Sequence, residues 1–176
     1  MQEVEVSLRV AMYYIKQGLT DKNVFVAIDG AQIKTGNTVH FDIRSFLKEN
    51  GLTKVDEAVD RWQGIYSVSE YEPRIIIHSE PGKGDVEIHL KDGKRLIVES
   101  KKGKDNTSNH EYHLMREAIG QLMTRDEVAE NDILAVAVPF SNKTDKLAEE
   151  WSTKPLIKRV GIRFILVKPD GDVKAI

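Results

Sequence analysis

Val4, Leu8, Ala11, Met12 and Ile15 recur at the spacing of one helical face, and Gly18 follows as a C-terminal cap, so Glu3 to Gln17 predicts an amphipathic helix. Two strand-like runs come next, Asn23 to Ile28 and Ala31 to Lys34, joined by Asp29-Gly30, a dipeptide suited to the positive φ angles of a hairpin turn. Asp42 reads as the N-cap of a short helix through Leu47 that stops at Asn50-Gly51, and a second short helical stretch is expected from Lys54 to Trp62. Arg74 to His78 is strand-like. After the flexible connection Gly82-Lys83-Gly84, Val86, Ile88 and Leu90 alternate with Asp85, Glu87 and His89. A turn at Asp92-Gly93 closes a hairpin, Arg95 to Lys101 returns as its second strand, and Lys102 to Asn109 is a polar loop expected to be mobile.

From His110 to about Val128 the apolar positions Leu114, Met115, Ala118, Ile119, Leu122 and Met123 form a helical stripe wide enough to cover a sheet. Ile133 to Val138 is a short apolar run of the kind that forms a buried strand. Asn142 to Trp151 predicts a further helix. Val160, Ile162, Phe164 and Leu166 then alternate in a final strand, and Pro169-Asp170-Gly171 turns into a last hairpin arm. This order of elements predicts a mixed central sheet flanked by helices, an α/β fold in one domain over 1–176 with an N-terminal helix and hairpin elaboration around 1–72.

Composition narrows the partners more than the fold. No apolar stretch approaches the ~20 residues of a membrane span, the opening MQEVEVSLRV lacks the basic-then-apolar order of a leader, and cysteine is absent, so a cytoplasmic location without membrane contact is expected. Without cysteine, any metal must be held by oxygen or imidazole. The net charge of -2 argues against non-specific coating of nucleic acid, yet the charge is uneven. Between Pro81 and Lys104, seven basic residues (83, 91, 94, 95, 101, 102 and 104) face four acids (85, 87, 92 and 99), whereas Asp105 to Asp132 holds seven acids and two arginines. Such a division can steer a polyanion to one face.

The segment richest in chemistry is Gly84 to Gly103, GDVEIHLKDGKRLIVESKKG. Side chains alternate across a strand, so Glu99 and Lys101 share one face while Val98 and Ser100 take the other. A hairpin turning at Asp92-Gly93 brings Asp85, at the start of one strand, near Glu99 at the end of the next. Two carboxylates and one main-chain carbonyl, that of Ser100, make an all-oxygen site suited to Mg²⁺, with Mn²⁺ as a substitute. Lys101 beside them can orient an attacking water, stabilise the transition state or serve as base. The implied reaction class is metal-assisted hydrolysis.

This segment resembles the PD-(D/E)XK, or restriction-endonuclease-like, nuclease superfamily: Asp85, thirteen intervening residues on a hairpin, then Glu99-Ser100-Lys101 closing the apolar strand Leu96-Ile97-Val98. In that superfamily a helix follows and often offers a glutamine to the site, and Arg116 to Arg125, REAIGQLMTR, is similar to it with Gln121 in the matching place. The resemblance covers roughly Arg74 to Val138 and implies a four-stranded mixed sheet flanked by helices. It also implies an acidic residue from the first helix, for which Glu5 is the candidate and Glu3 the near equivalent. Gly84 replaces the proline of the family motif, a departure expected to alter the turn and not the ligands. The resemblance implies a DNA endonuclease that acts in restriction, junction resolution or repair and mobile-element processing, with Lys83, Lys102 and Lys104 on the phosphate backbone and a homodimer suited to cutting two strands.

Plainer readings exist for each residue. Asp85 can be a turn residue, Glu99 with Lys101 an ion pair on an exposed edge strand, Glu87 and His89 half-solvated decoration, and His110 and His113 surface residues at a helix start. Gln121 sits at the edge of the apolar stripe, and Trp62 and Tyr66 fit core packing better than base stacking. The rival functional class is a catalytically silent module of the same fold that binds nucleic acid or assembles. A nuclease acting on RNA is the third reading.

Overall fold

A computed structural model describes residues 1–55, 61–80, 84–103 and 110–176, His110 by its backbone alone. The expected helix is present as α1 (Glu3–Lys16), ending where Gly18 takes the left-handed conformation at φ 62°. It buries Val4, Leu8, Ala11, Met12 and Ile15, the stripe that its helical spacing sets on one side, and packs across one face of the sheet.

Asp29-Gly30 does not turn a hairpin. The Asp29 carboxylate accepts from the Ala31 N–H at 2.9 Å and caps a one-turn helix, α2 (Gly30–Ile33), while β1 (Val24–Ala27) takes its partners from far along the chain. Aspartate stabilises the start of a helix as readily as a turn, and both sides of β1 are already occupied. A small separate hairpin, β2 (Lys34–Thr35) with β3 (Thr38–Val39), follows. Asp42 caps α3 (Ile43–Glu49) through the Ser45 N–H, as its position predicts. The expected helix from Lys54 to Trp62 is not supported at its ends: Lys54 closes strand β4 (Leu52–Lys54) and Trp62 is in no helix, while 56–60 lie outside the described residues.

Strands β5 (Gly64–Val68), β6 (Tyr71–His78), β7 (Val86–His89) and β8 (Arg95–Ser100) come next, with the Asp92-Gly93 turn joining the last two. Helix α4 (His110–Met123) is shorter than its apolar stripe suggests. The Thr124 hydroxyl donates to the Gly120 carbonyl at its end, and the chain turns there, returning Arg125 toward the sheet. Then come β9 (Ile133–Pro139), α5 (Asn142–Ser152), α6 (Pro155–Val160), β10 (Arg163–Val167) and β11 (Val173–Ala175). Val160 therefore closes a helix rather than opening a strand. Pro155 suits a first helical turn and Gly161, at φ 80°, suits the exit, so local backbone preference overrides the alternation read through Val160.

Among the described residues nine strands form one mixed sheet in the order β11-β10-β9-β8-β7-β1-β6-β5-β4, where the resemblance implies four. Strands β8, β9 and β10 run parallel to one another, whereas β7 is antiparallel to both β8 and β1. Of the strands before residue 69, β1 lies between β7 and β6, β5 and β4 end the sheet, and β2 pairs with β3 apart from it. The side of the sheet under α1 buries Val86, Ile88, Leu96 and Val98. Ile97, Val136 and Phe164 pack on the other side with Met115, Ala118 and Leu122 of α4 and Ala148 of α5. Covered on both faces, β9 reads as an unbroken apolar run. Among the described residues no helix is long and apolar enough to cross a membrane.

Helix α1 is the main cover of its face, so truncating Leu8, which is fully buried, leaves a cavity that the sheet cannot close. Leu8→Ala is expected to cost about 3 kcal/mol, lowering the denaturant midpoint in urea unfolding followed by circular dichroism.

Candidate active site

Strand register decides which side chains meet. Val86 pairs with Val98 and Glu87 with Ile97 across β7 and β8, so extending the ladder by one position sets Asp85 opposite Glu99. The backbone of Asp85 is fixed from the other side, because its carbonyl accepts from the Ala27 N–H of β1 at 3.0 Å. The far end of β8 is fixed as well: the Lys101 N–H donates to the Ala137 carbonyl of β9 at 2.8 Å, and the Gly103 N–H donates to the Met1 carbonyl at 3.0 Å. Glu99 and Lys101 are 8% and 5% exposed, which removes the reading of an ion pair on an exposed edge strand.

The Asp85 and Glu99 carboxyls, opposite each other by register, are close enough for each to alter the ionisation of the other. The Ser100 N–H donates to Asp85 Oδ2 at 2.7 Å, so Asp85 is more than a turn residue. Burial, then the adjacent Glu99, pushes the Asp85 carboxyl up to about 7. Burial also raises Glu99, against the opposing pull of Arg125 and Lys101. Both carboxyls are therefore held above the ordinary carboxylate range, chiefly by burial.

Lys101 Nζ lies 3.2 Å from Glu117 of α4 and 4.0 Å from Glu3 of α1. Glu3, not Glu5, is thus the acid that α1 brings to the cluster. Glu5 turns to its own helix and accepts from Arg9 Nε at 2.9 Å, since two residues along a helix is more than half a turn. Burial raises the Glu3 carboxyl, with Lys101 opposing, and its Oε1 accepts from the Gln32 amide at 2.7 Å.

Sequence reasoning passes over two residues here. Glu117 falls on the polar side of α4 and shows its role only once that helix crosses β8. Arg125 Nη1 donates to Glu99 Oε1 at 3.2 Å and its Nη2 to Glu87 Oε1 at 3.4 Å, with the side chain 10% exposed. The Arg125 of the expected motif helix stands in fact beyond the helix, and nothing in its spacing announces the return. Gln121 is exposed on α4, one turn beyond Glu117, with no hydrogen bond from its side chain among the described residues.

Lys102 is exposed and lines a cleft of about 450 Å³ beside Glu3, with Gln2, Gln32 and His40. Lys83 and Lys104 lie outside the described residues. The remaining candidates stay apart: His89 is half-buried near Asp132, His113 is exposed with its ring edge-on to Tyr112, and Tyr66 is a buried core residue donating to the Trp62 carbonyl.

The donor set suits a hard divalent ion. Asp85, Glu99, Glu3, Glu117 and Glu87 set five carboxylates against the cations Lys101 and Arg125, an excess of negative charge where burial already disfavours it. Among the described residues no group of three or more histidine, aspartate or glutamate side chains is arranged to hold a metal ion. Asp85, Glu99 and the Ser100 carbonyl would hold Mg²⁺ or Mn²⁺ with water completing the shell, the arrangement that Mg²⁺ prefers.

A carboxyl whose pKa is near 7 in the fold and near 3.8 when unfolded makes the folded state bind the extra proton between those values, so stability falls as pH rises from about 4 through about 7. Metal-free Asp85→Asn keeps the acceptor for the Ser100 N–H and loses the charge. It is expected to exceed the wild type in stability at pH 8 by about 2 kcal/mol and to match it near pH 4, as thermal unfolding across that range would read. Compared with known proteins, the chain matches no family model, no curated protein and no solved structure.

Proposed function

We propose that this protein is a divalent-metal-dependent nuclease that hydrolyses the phosphodiester backbone of DNA, with a restriction-endonuclease-like core formed by α1, β7, β8, α4 and β9. The observation that carries this reading is the half-buried contact of Asp85 with Glu99 at the end of the β7–β8 hairpin, with Lys101 two residues along the same face. Adjacent buried carboxylates with a raised pKa are a common mark of functional sites, although structural ion-pair networks also produce them. A site that receives a cation has a use for both.

When bound, a divalent ion there polarises a phosphoryl oxygen and activates water. Asp85 and Glu99 supply its protein ligands, each with one oxygen already oriented by Ser100 N–H or Arg125. The Lys101 ammonium is held toward the cluster by Glu117, whose side chain is 57% exposed. An incoming phosphate competes with that exposed carboxylate for the ammonium, so Lys101 is placed to stabilise charge that develops on the scissile phosphate. Lys102 and the cleft beside Glu3 offer a cation and amide groups to the flanking backbone.

One observation favours the silent alternative: Arg125 already neutralises part of Glu99 without any metal. Incubation of plasmid, linear and branched DNA, and of RNA, with Mg²⁺, Mn²⁺ or EDTA separates the two. Cleavage in either metal is expected, abolished by EDTA and reduced at least 100-fold in Asp85→Asn and Lys101→Met, with both variants folded by circular dichroism. Binding without cleavage, unchanged in the two variants, would overturn the catalytic reading in favour of the binding module.

A further inference from the structure

Arg125 is placed by more than one restraint. Its Nη1 reaches Glu99 at 3.2 Å and its Nη2 reaches Glu87 at 3.4 Å, while Glu87 is approached from its other side by Arg95 at 3.9 Å and Arg95 is paired with Asp132 at 2.5 Å. Charges therefore alternate along the chain of contacts: Asp132, Arg95, Glu87, Arg125, Glu99. Among the described residues the buried Arg125 Nε has no hydrogen-bond partner, and the guanidinium is held through its outer nitrogens.

Backbone leaves room for it at one position. A Cβ on Gly84 would stand 2.6 Å from Arg125 Nη1 and 3.3 Å from its Cζ, closer than packing allows. Gly84 has no positive φ, so what a side chain there would disturb is this close approach, with Ile97 Cγ2 at 3.0 Å beside it, and the guanidinium would have to shift. The replacement of the family-motif proline by Gly84 is the other half of the Arg125 contact, and it is more than a change of turn.

We infer that Arg125 is a positioning residue: it is the built-in counter-ion of Glu99, orients that carboxylate toward Asp85, and sets the affinity of the site for a divalent cation by opposing it. This inference rests on the proposed metal site. A fixed guanidinium against one ligand repels an incoming dication, and its removal strengthens metal binding while removing order from the metal-free cluster.

Calorimetric titration of Mn²⁺ into metal-stripped protein, with wild type, Arg125→Met, Arg125→Lys and Gly84→Ala, tests it. Arg125→Met is expected to bind Mn²⁺ at least 10-fold more tightly than wild type, and Arg125→Lys within about 3-fold of it, because the charge is kept. Gly84→Ala displaces the guanidinium without altering the charge of the chain and is expected to move affinity in the direction of Arg125→Met. If Arg125→Met does not fold, Gly84→Ala decides. Affinity unchanged or weakened in the folded variants, with wild type binding Mn²⁺, would overturn the role of Arg125 and leave the metal site standing. No binding by wild type would overturn both.

Discussion

Two acids held side by side are the constraint around which this end of the molecule is organised. Asp85 and Glu99 meet because β7 and β8 are locked in register by Val86 with Val98 and Ile88 with Leu96, pairs whose side chains fill the core under α1. A slip of one residue would turn those apolar side chains out of the core, so the hydrophobic pattern itself enforces the like-charge contact. Hydrogen bonds from β1 to Asp85 and from the end of β8 to β9 hold the two backbones on either side. Packing energy is thus spent in keeping together groups that repel.

The surrounding cations relieve that repulsion only in part. Arg125 takes one oxygen of Glu99, Lys101 is shared between Glu117 and Glu3, and protonation of Asp85, whose carboxyl is pushed up to about 7, removes some of the remainder. Each of these compensations can be exchanged. A proton leaves as pH rises, an exposed Glu117 can release Lys101, and a guanidinium at the edge can yield to a second cation. An inert salt-bridge network would instead be balanced and closed, as Arg95 with Asp132 is at the other end of the chain of charges.

Much of this was legible in the order of residues. The alternation in Asp85 to Leu90 and Arg95 to Lys101, with Asp92-Gly93 between, is enough to place Asp85, Glu99 and Lys101 on one face, because a tight turn and a period of two leave little freedom. The stripe of α1 was equally clear. What escaped depends on contacts distant in sequence: β1 inserts between β6 and β7, so Asp29-Gly30 had no hairpin to turn. Local helix signals at Pro155 and Gly161 outweighed the alternation through Val160. The choice of Glu3 over Glu5 needed the rotation of α1 on the sheet, which the width of its apolar stripe leaves open by a residue or two.

Arg125 shows why a departure from a motif is poorly judged one residue at a time. Read along the chain, Gly84 is a missing proline forty-one positions from Arg125 and unrelated to it. In the fold, the space left by the absent side chain is filled by that arginine, which then reaches the acid opposite Asp85. A side chain at 84 would enter the same volume, so the present place of the Arg125 guanidinium depends on a glycine there. Gly84 thus admits a guanidinium beside one of the two acids, which alters the electrostatic setting of Asp85, Glu99 and Lys101. The environment of two acids is therefore not read from the acids alone, because here it is set by the pairing of a glycine with an arginine distant in sequence.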